Sequence, residues 1–376
     1  MPTIFEIFSY PIGDTSAEAQ QARRTGRCSF MARDCDGGGN RYSSELKLES
    51  HPELAAVLTV PAERETIAAG ICSIKLTLDG PPWIVCPRRL LALSRTSLQG
   101  VDTHQSVAEG KILSLLGYPA GTTLGIWSEV KLKLHEDVDG QRKGFDYTFD
   151  YIVMPMGRIT QQAAASNANE TWAVLRRRLE RTGYTIAQRD GGLYVEDFPI
   201  STPSIIEIMT SSTSGGNKRN RTTISAAFED AMLGQDHKAP GINYRQVWAR
   251  MVSQLIVKSE VALHWGGKTI WLLQDVLVNY ICQSTALDIR RFLGEHTGEV
   301  NMLSLSFGAD ANDEPGVIEL GVSGFYAGPM AASDGAAARA SFQDMVHTPL
   351  RPHLWRLVRA LTSKAPVNKI VIPNPQ

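Results

Sequence analysis

Residues Ile205–Gly216 read IIEIMTSSTSGG. Three isoleucines flank one acid, Glu207, and the apolar run then breaks into a Thr/Ser/Gly loop, the pattern of a strand that delivers a carboxylate. A carboxylate among β-branched side chains stays ionised only where a cation or hydrogen-bond donors compensate it. Glu207 is therefore either at a solvated strand edge or a metal ligand, and a metal site needs a second acid from elsewhere. The best partner lies upstream in Phe145-Asp146-Tyr147, within the strand-like run FDYTFDYIV.

Working outward, the chain alternates strand and helix patterns, which predicts an α/β protein with a mixed β-sheet flanked by helices. Upstream, IWSEVKLKL (126–134) alternates like a half-buried strand with Glu129 and Lys131 on one face, and the turn DVDGQRKG joins it to FDYTFDYIVMP as a hairpin. A helix is predicted over Ser106–Leu116, and residues 1–25 read as helical and polar around AEAQQARR. Residues 160–184 read as one amphipathic helix whose face Arg176, Arg177, Arg178 and Arg181 is strongly basic. Downstream of the Ser-Gly-Gly loop come Lys218, Arg219 and Arg221, a helix TTISAAFEDAMLG stopped by Gly234, and a longer helix ended by Gly266 and Gly267. The run TIWLLQDVLVNYI reads as a strand, and the tail alternates strand-like MLSLSFG and GVIELGVSGFYAG with a final helix HLWRLVRALTSK. The expected organisation is a cysteine-bearing region over 1–100, a core over 101–300 with a helical insert about 156–200, and strands plus a helix packed on it over 301–376.

Lys plus Arg number 38 against 39 Asp plus Glu, so any nucleic-acid surface must be a local patch. No apolar run reaches membrane-spanning length, and the opening MPTIFEIFSYPIGD lacks the charged and apolar regions of a signal peptide, so a cytoplasmic protein with no membrane partner is expected. Five cysteines, an odd number, argue against a disulfide framework. Cys28 and Cys35, then Cys72 and Cys86, form two hairpin-like pairs able to close one tetrahedral thiolate site for zinc or iron. Four unrelated buried thiols are the alternative, and Cys282 reads as a core residue.

Two carboxylates from neighbouring strands suit Mg2+, which takes one or two acids plus a substrate phosphate and activates water for phosphodiester hydrolysis. The motifs CSF(x)4DC, GICSI, VCPRRL, SEVKLKL, FDY and IEIMTSSTSGG, in that order, resemble the NotI-like type II restriction endonucleases and their PD-(D/E)-x-K nuclease core. The resemblance covers residues 25 to 290 or so. It implies that Asp146 and Glu207 hold Mg2+, that Glu129 is a further acid near the metal, and that Cys28, Cys35, Cys72 and Cys86 hold a structural iron or zinc ion. It also implies a sequence-specific double-stranded DNA endonuclease acting as a homodimer, from a restriction-modification setting.

One position departs from that pattern. The family has Lys or Gln two residues after the Glu, where this chain has Met209, a poor Mg2+ ligand that carries no proton. Lys131 or Lys218 then supplies the missing charge, the metal acts alone, or the core is degenerate and only binds DNA. A rival reading takes Glu129-x-Lys131 as the acid–lysine element itself; it needs a metal-binding Asp on a strand just upstream, whereas Asp102 sits in the polar loop SLQGVDTHQS. Arg176, Arg177, Arg178, Arg181, Lys218, Arg219 and Arg221 are the expected DNA contacts, against the alternative that these faces are merely solvated.

Overall fold

The computed structural model describes residues 1–38, 45–93, 104–138, 140–189, 191–214, 216–284, 289–308, 315–328, 330 and 353–372. Asp102 lies outside them. In chain order the N-terminal part comprises β1 (Thr3–Ile7), β2 (Tyr10–Pro11), α1 (Ala17–Thr25), β3 (Arg27–Cys28), β4 (Arg33–Asp34), β5 (Glu45–Lys47), α2 (Pro52–Val57), β6 (Thr66–Ala68), β7 (Ile71–Lys75), β8 (Pro82–Ile84) and α3 (Pro87–Leu90). Its four-stranded sheet has the order β2-β1-β7-β8, and β3–β4 and β5–β6 are two small ribbons. The expectation of a helical start is corrected here. The helix is confined to α1, capped by the Ser16 side chain and closed by left-handed Gly26, because the preceding TIFEI buries itself as β1.

The remainder is α4 (Ser106–Leu116), β9 (Thr123–Val138), β10 (Gln141–Thr160), α5 (Gln161–Ala168), α6 (Trp172–Arg181), β11 (Ile186–Arg189), β12 (Gly192–Pro199), β13 (Ser204–Met209), α7 (Ile224–Met232), α8 (Tyr244–His264), β14 (Lys268–Gln274), α9 (Asp275–Ser284), β15 (Val300–Ser306), β16 (Gly321–Gly328), α10 (Leu354–Leu361) and β17 (Asn368–Val371). A nine-stranded sheet runs β11-β12-β10-β13-β14-β15-β16, with β9 paired to β10 and β17 to β9. The pairs β13–β14 and β14–β15 are parallel and the others antiparallel, so the sheet is mixed, as expected.

Helices cover both faces because each central strand is apolar on both sides. Ile206 and Ile208 point with Ile270, Leu272 and Leu303 toward α4, whose Ile112, Leu115 and Leu116 complete that core. On the opposite face Ile205 and Ile152 meet Val261 and Ala262 of α8 and Leu357 and Leu361 of α10, while Met209, Trp271 and Leu273 meet Val247 and Met251 of α8 and Leu277 of α9.

Two sequence expectations change. The single helix over 160–184 is two, since Asn169 adopts φ 49 and closes α5 before α6 begins. The strand TIWLLQDVLVNYI ends at Gln274, and Asp275 opens α9, so its second half buries one helical face. Among the described residues no helix is long and apolar enough to cross a membrane.

Candidate active site and cysteine cluster

Glu207 is buried, with 1% of its surface exposed, although its strand lies in the middle of the sheet. The β10–β13 ladder pairs Tyr151 with Ile206 and Ile152 with Ile205, so the next rung sets Asp150 beside Glu207. There the backbone ladder gives way to side chains. The Asp150 N–H donates to Glu207 Oε1 at 3.3 Å, and the Ile208 N–H donates to Asp150 Oδ2 at 2.8 Å. Each carboxylate is thus oriented by the backbone of the opposite strand. The third member comes from α8, where the Lys258 ammonium lies 2.5 Å from Glu207 Oε2 and 5.8 Å from the Phe149 ring centroid. Asp150 and Lys258 are each 7% exposed. Two buried carboxylates on adjacent strands thus lie beside each other, one of them paired with the Lys258 ammonium.

Across β10 the same rung reaches β9. Val130 pairs with Phe149 and Ser128 with Tyr151, which places Glu129 opposite Asp150. Glu129 has φ 53 in the middle of a strand. On either side of this rung the buried set changes phase: Val130, Leu132, Tyr147 and Phe149 on one side, Trp127, Ile152 and Met154 on the other, all in one apolar cluster. The left-handed residue absorbs that skipped step, and such strain persists only where surrounding packing holds it. Beyond α10 the Lys364 amine donates to the Ser128 carbonyl. Burial lowers the Lys364 pKa, with Lys131 in the same sense and Glu129 opposing. Glu129, Asp150 and Glu207 therefore share one rung of three adjacent strands, with lysines at both ends.

The structure does not bring Asp146 to Glu207. Asp146 lies four residues from Asp150 toward the hairpin turn, opposite Lys133, and is exposed. At about 3.3 Å per residue that is roughly 13 Å along the strand. The triplet Phe-Asp-Tyr occurs twice, at 145–147 and 149–151, and the second carries the buried acid. A signal was present, because Asp150 directly precedes the unbroken apolar run YIVM that enters the centre of the sheet. Of the two lysines expected near the site, Lys131 is exposed opposite Thr148, and Lys218 is exposed in the turn before α7. Lys258, which the sequence reading missed, interrupts the buried stripe Met251, Val261, Ala262 and Trp265 at helical spacing, and a cation there needs a buried partner. Met209 packs among Val247, Met251, Trp271 and Leu273.

The basic residues divide. Arg178 pairs with Glu170, and Arg221 forks onto Asp230 and reaches Glu229 at 2.8 Å, so both brace the fold. Arg176 makes an exposed pair with Glu180 at 2.7 Å, a contact worth little in water. Arg177, Arg181, Lys218 and Arg219 are exposed.

The four early cysteines come together. Cys28, Cys72 and Cys86 are buried with Phe30, Met31 and Ala92, and Cys35 packs against them. Burial raises all four thiol pKa values, that of Cys86 to about 12, and the charges of neighbouring thiols add to the rise at Cys35, Cys72 and Cys86. Backbone amides face three of the sulfurs: Met31 and Phe30 at Cys28, Gly37 at Cys35, and Arg88 at Cys86. Among the described residues no three His, Cys, Asp or Glu side chains are disposed to hold a metal ion, so the thiols converge without meeting at ligand spacing. Cys282 lies apart, in α9, against another apolar cluster.

The chain matches no protein-family model and no curated protein.

Proposed function

We propose that the chain is a Mg2+-dependent, sequence-specific endonuclease of double-stranded DNA, with a core of the PD-(D/E)-x-K kind. The observation that carries this reading is the buried constellation Asp150, Glu207 and Lys258, in which two acids from adjacent strands and one lysine meet at a single rung. Two carboxylates fit Mg2+, which binds through one or two acids, retains several waters and does not need a three-ligand protein cage. When bound, the ion would lower the pKa of a water and offset charge on the phosphate.

The protein's own contribution is orientation and charge. The amides of Ile208 and Asp150 hold the two carboxylates in place, and Glu129 adds a third acid on the same rung. Lys258 supplies from a helix the positive charge that Met209 cannot supply from the strand, and its burial keeps that charge effective toward a phosphate oxygen or attacking water. A homodimer would match a two-fold duplex site with one active site per strand. The exposed Arg176, Arg177, Arg181, Lys218 and Arg219 are the phosphate contacts, and the setting is cytoplasmic.

Drawn to ligand spacing, the four cysteines would hold a structural iron or zinc ion. What supports this is a thiol-only donor set, gathered in one cluster, with backbone amides directed at three sulfurs that would stabilise thiolates. Elemental analysis of purified protein is expected to find about one transition metal per chain. Folded, active protein free of such a metal contradicts it.

The competing reading is a DNA-binding protein without catalysis. It is favoured by Lys258, whose ammonium already neutralises Glu207 without a metal. Incubation with Mg2+ and a library of duplex DNA, followed by mapping of cut ends, decides between them. Discrete ends that depend on Mg2+ support the nuclease, and intact DNA that is nonetheless bound supports the alternative.

A further inference from the structure

Arg88 stands where the cysteine cluster meets the large sheet. It follows Cys86 by two residues in α3, and its side chain is 14% exposed. Its Nε and Nη2 lie 3.0 Å from Asp36 Oδ2, the carboxylate next to Cys35. Its Nη1 donates to the Tyr151 hydroxyl at 3.3 Å. Tyr151 directly follows Asp150 and pairs with Ile206, which directly precedes Glu207. One planar guanidinium therefore contacts neighbours of the thiols on one side and a neighbour of both carboxylates on the other.

The segment around Arg88 is braced. Gln105 Nε2 donates to the carbonyls of Arg88 at 2.8 Å and Arg89 at 3.1 Å, and its Oε1 accepts from the Ala92 N–H at 2.9 Å. The stretch from Cys86 to Ala92 is thus a bracket with a thiol at one end and the donor to Tyr151 along it. A cavity of about 340 Å³ lined by Met31, Arg33, Arg88, Leu93, Ser128 and Tyr151 lies beside it, so this contact has room to shift. The 3.3 Å Arg88–Tyr151 bond is at the long end of the hydrogen-bond range, and a small displacement of α3 breaks it.

We propose that Arg88 is a positioning residue of the carboxylate site, which transmits the packing of the four-cysteine cluster through the Tyr151 hydroxyl to Asp150 and Glu207. The catalytic consequence rests on the nuclease reading. The mechanical link does not.

The test uses the full chain and the variants Arg88→Lys, which keeps the charge but loses the fork, and Tyr151→Phe, which removes only the hydroxyl. Losing the Arg88–Tyr151 hydrogen bond is expected to speed amide exchange at residues 150–153 about fivefold to tenfold with exchange in α8 and β14 little changed, and Tyr151→Phe, which leaves the Arg88–Asp36 pair intact, should also leave the melting temperature little changed. A purely structural role would instead lower the melting temperature and loosen the sheet throughout. Cys86→Ala is expected to speed exchange at the same amides in the unmodified chain and to add nothing in the Arg88→Lys background, since both act through one contact. In cleavage, both Arg88→Lys and Tyr151→Phe should raise the Mg2+ concentration for half-maximal rate about tenfold, with the rate recovering at saturating Mg2+. Unchanged exchange at 150–153 in both variants overturns the link. Faster exchange with an unmoved Mg2+ midpoint overturns the positioning role. Faster exchange in a chain that cuts no DNA at any Mg2+ concentration leaves the link standing and removes the nuclease reading.

Discussion

Phe145-Asp146-Tyr147 and Phe149-Asp150-Tyr151 are the same three residues on the same strand, yet their aspartates meet opposite environments. Asp146 lies where β10 has only β9 beside it, exposed and opposite Lys133. Asp150 lies where β13 joins on the other edge, is 7% exposed, and accepts the Ile208 N–H. The lesson is that the third strand assigns the chemistry. A carboxylate on a two-stranded ribbon is solvated, and the same carboxylate four residues on is buried beside Glu207 and held by a backbone amide of the third strand.

The comparison can be broken first at the shared partner. Glu207→Gln preserves size and the hydrogen bond from Asp150 but removes charge, and it should lower Mg2+-dependent cleavage by on the order of 10³-fold. DNA binding without metal should persist or tighten, because a carboxylate facing phosphate is gone. A smaller loss would place the metal elsewhere, with Glu129 next in line.

Lys258 sharpens the contrast with the exposed Lys131. Lys258→Ala removes the ammonium from a buried carboxylate, which should cost about 3–5 kcal/mol of stability without Mg2+ and less with it. Cleavage should fall by about a hundredfold. Lys131→Ala should leave both cleavage and melting temperature near those of the unmodified chain, and equal losses in the two variants would refute the assignment of the cation.

Met209 is the next smaller test. It packs in an apolar cluster, so Met209→Leu should cost less than about 1.5 kcal/mol. Met209→Gln, the residue that the sequence resemblance expects here, should lower stability by about 1–3 kcal/mol through an unsatisfied amide and bring no gain in rate. A large gain in rate would mean that the strand position, and not Lys258, supplies the polar group that the site needs.

These assignments show what could be read from the residues. The hairpin of β9 and β10, the Glu207 strand, α4 to its end residues and α7 with its Thr223 cap were legible, because period-two and period-3.6 patterns and capping chemistry are local. The choice between Asp146 and Asp150 was not, since it depends on where β13 docks. Lys258 was missed because it lies 51 residues after Glu207 and only the packing of α8 across the sheet brings them together. The break at Asn169 and the start of α9 at Asp275 failed for a different reason, because apolar or alanine-rich runs satisfy two patterns equally until the tertiary fold selects one.

The smallest effect separates bracing from binding among the basic residues. Burial alone would raise the Glu229 carboxyl, but Arg221 and His51 hold its pKa below the usual 4.5. A depressed carboxyl pKa contributes stability that is present above the unfolded value and is lost as pH falls through the folded one. The melting temperature should therefore fall as pH drops below about 4.5, and Glu229→Gln should flatten that fall without affecting DNA binding. Lys218→Ala and Arg219→Ala, by contrast, should weaken binding to all duplexes and reduce its salt dependence while leaving the pH response alone.

The most direct measurement sets Asp150→Asn and Asp146→Asn side by side in one Mg2+-dependent cleavage assay on duplex DNA. The expected result is a loss of at least about a hundredfold for Asp150→Asn and a rate within about threefold of the unmodified chain for Asp146→Asn. An inactive Asp146→Asn beside an active Asp150→Asn would contradict the account.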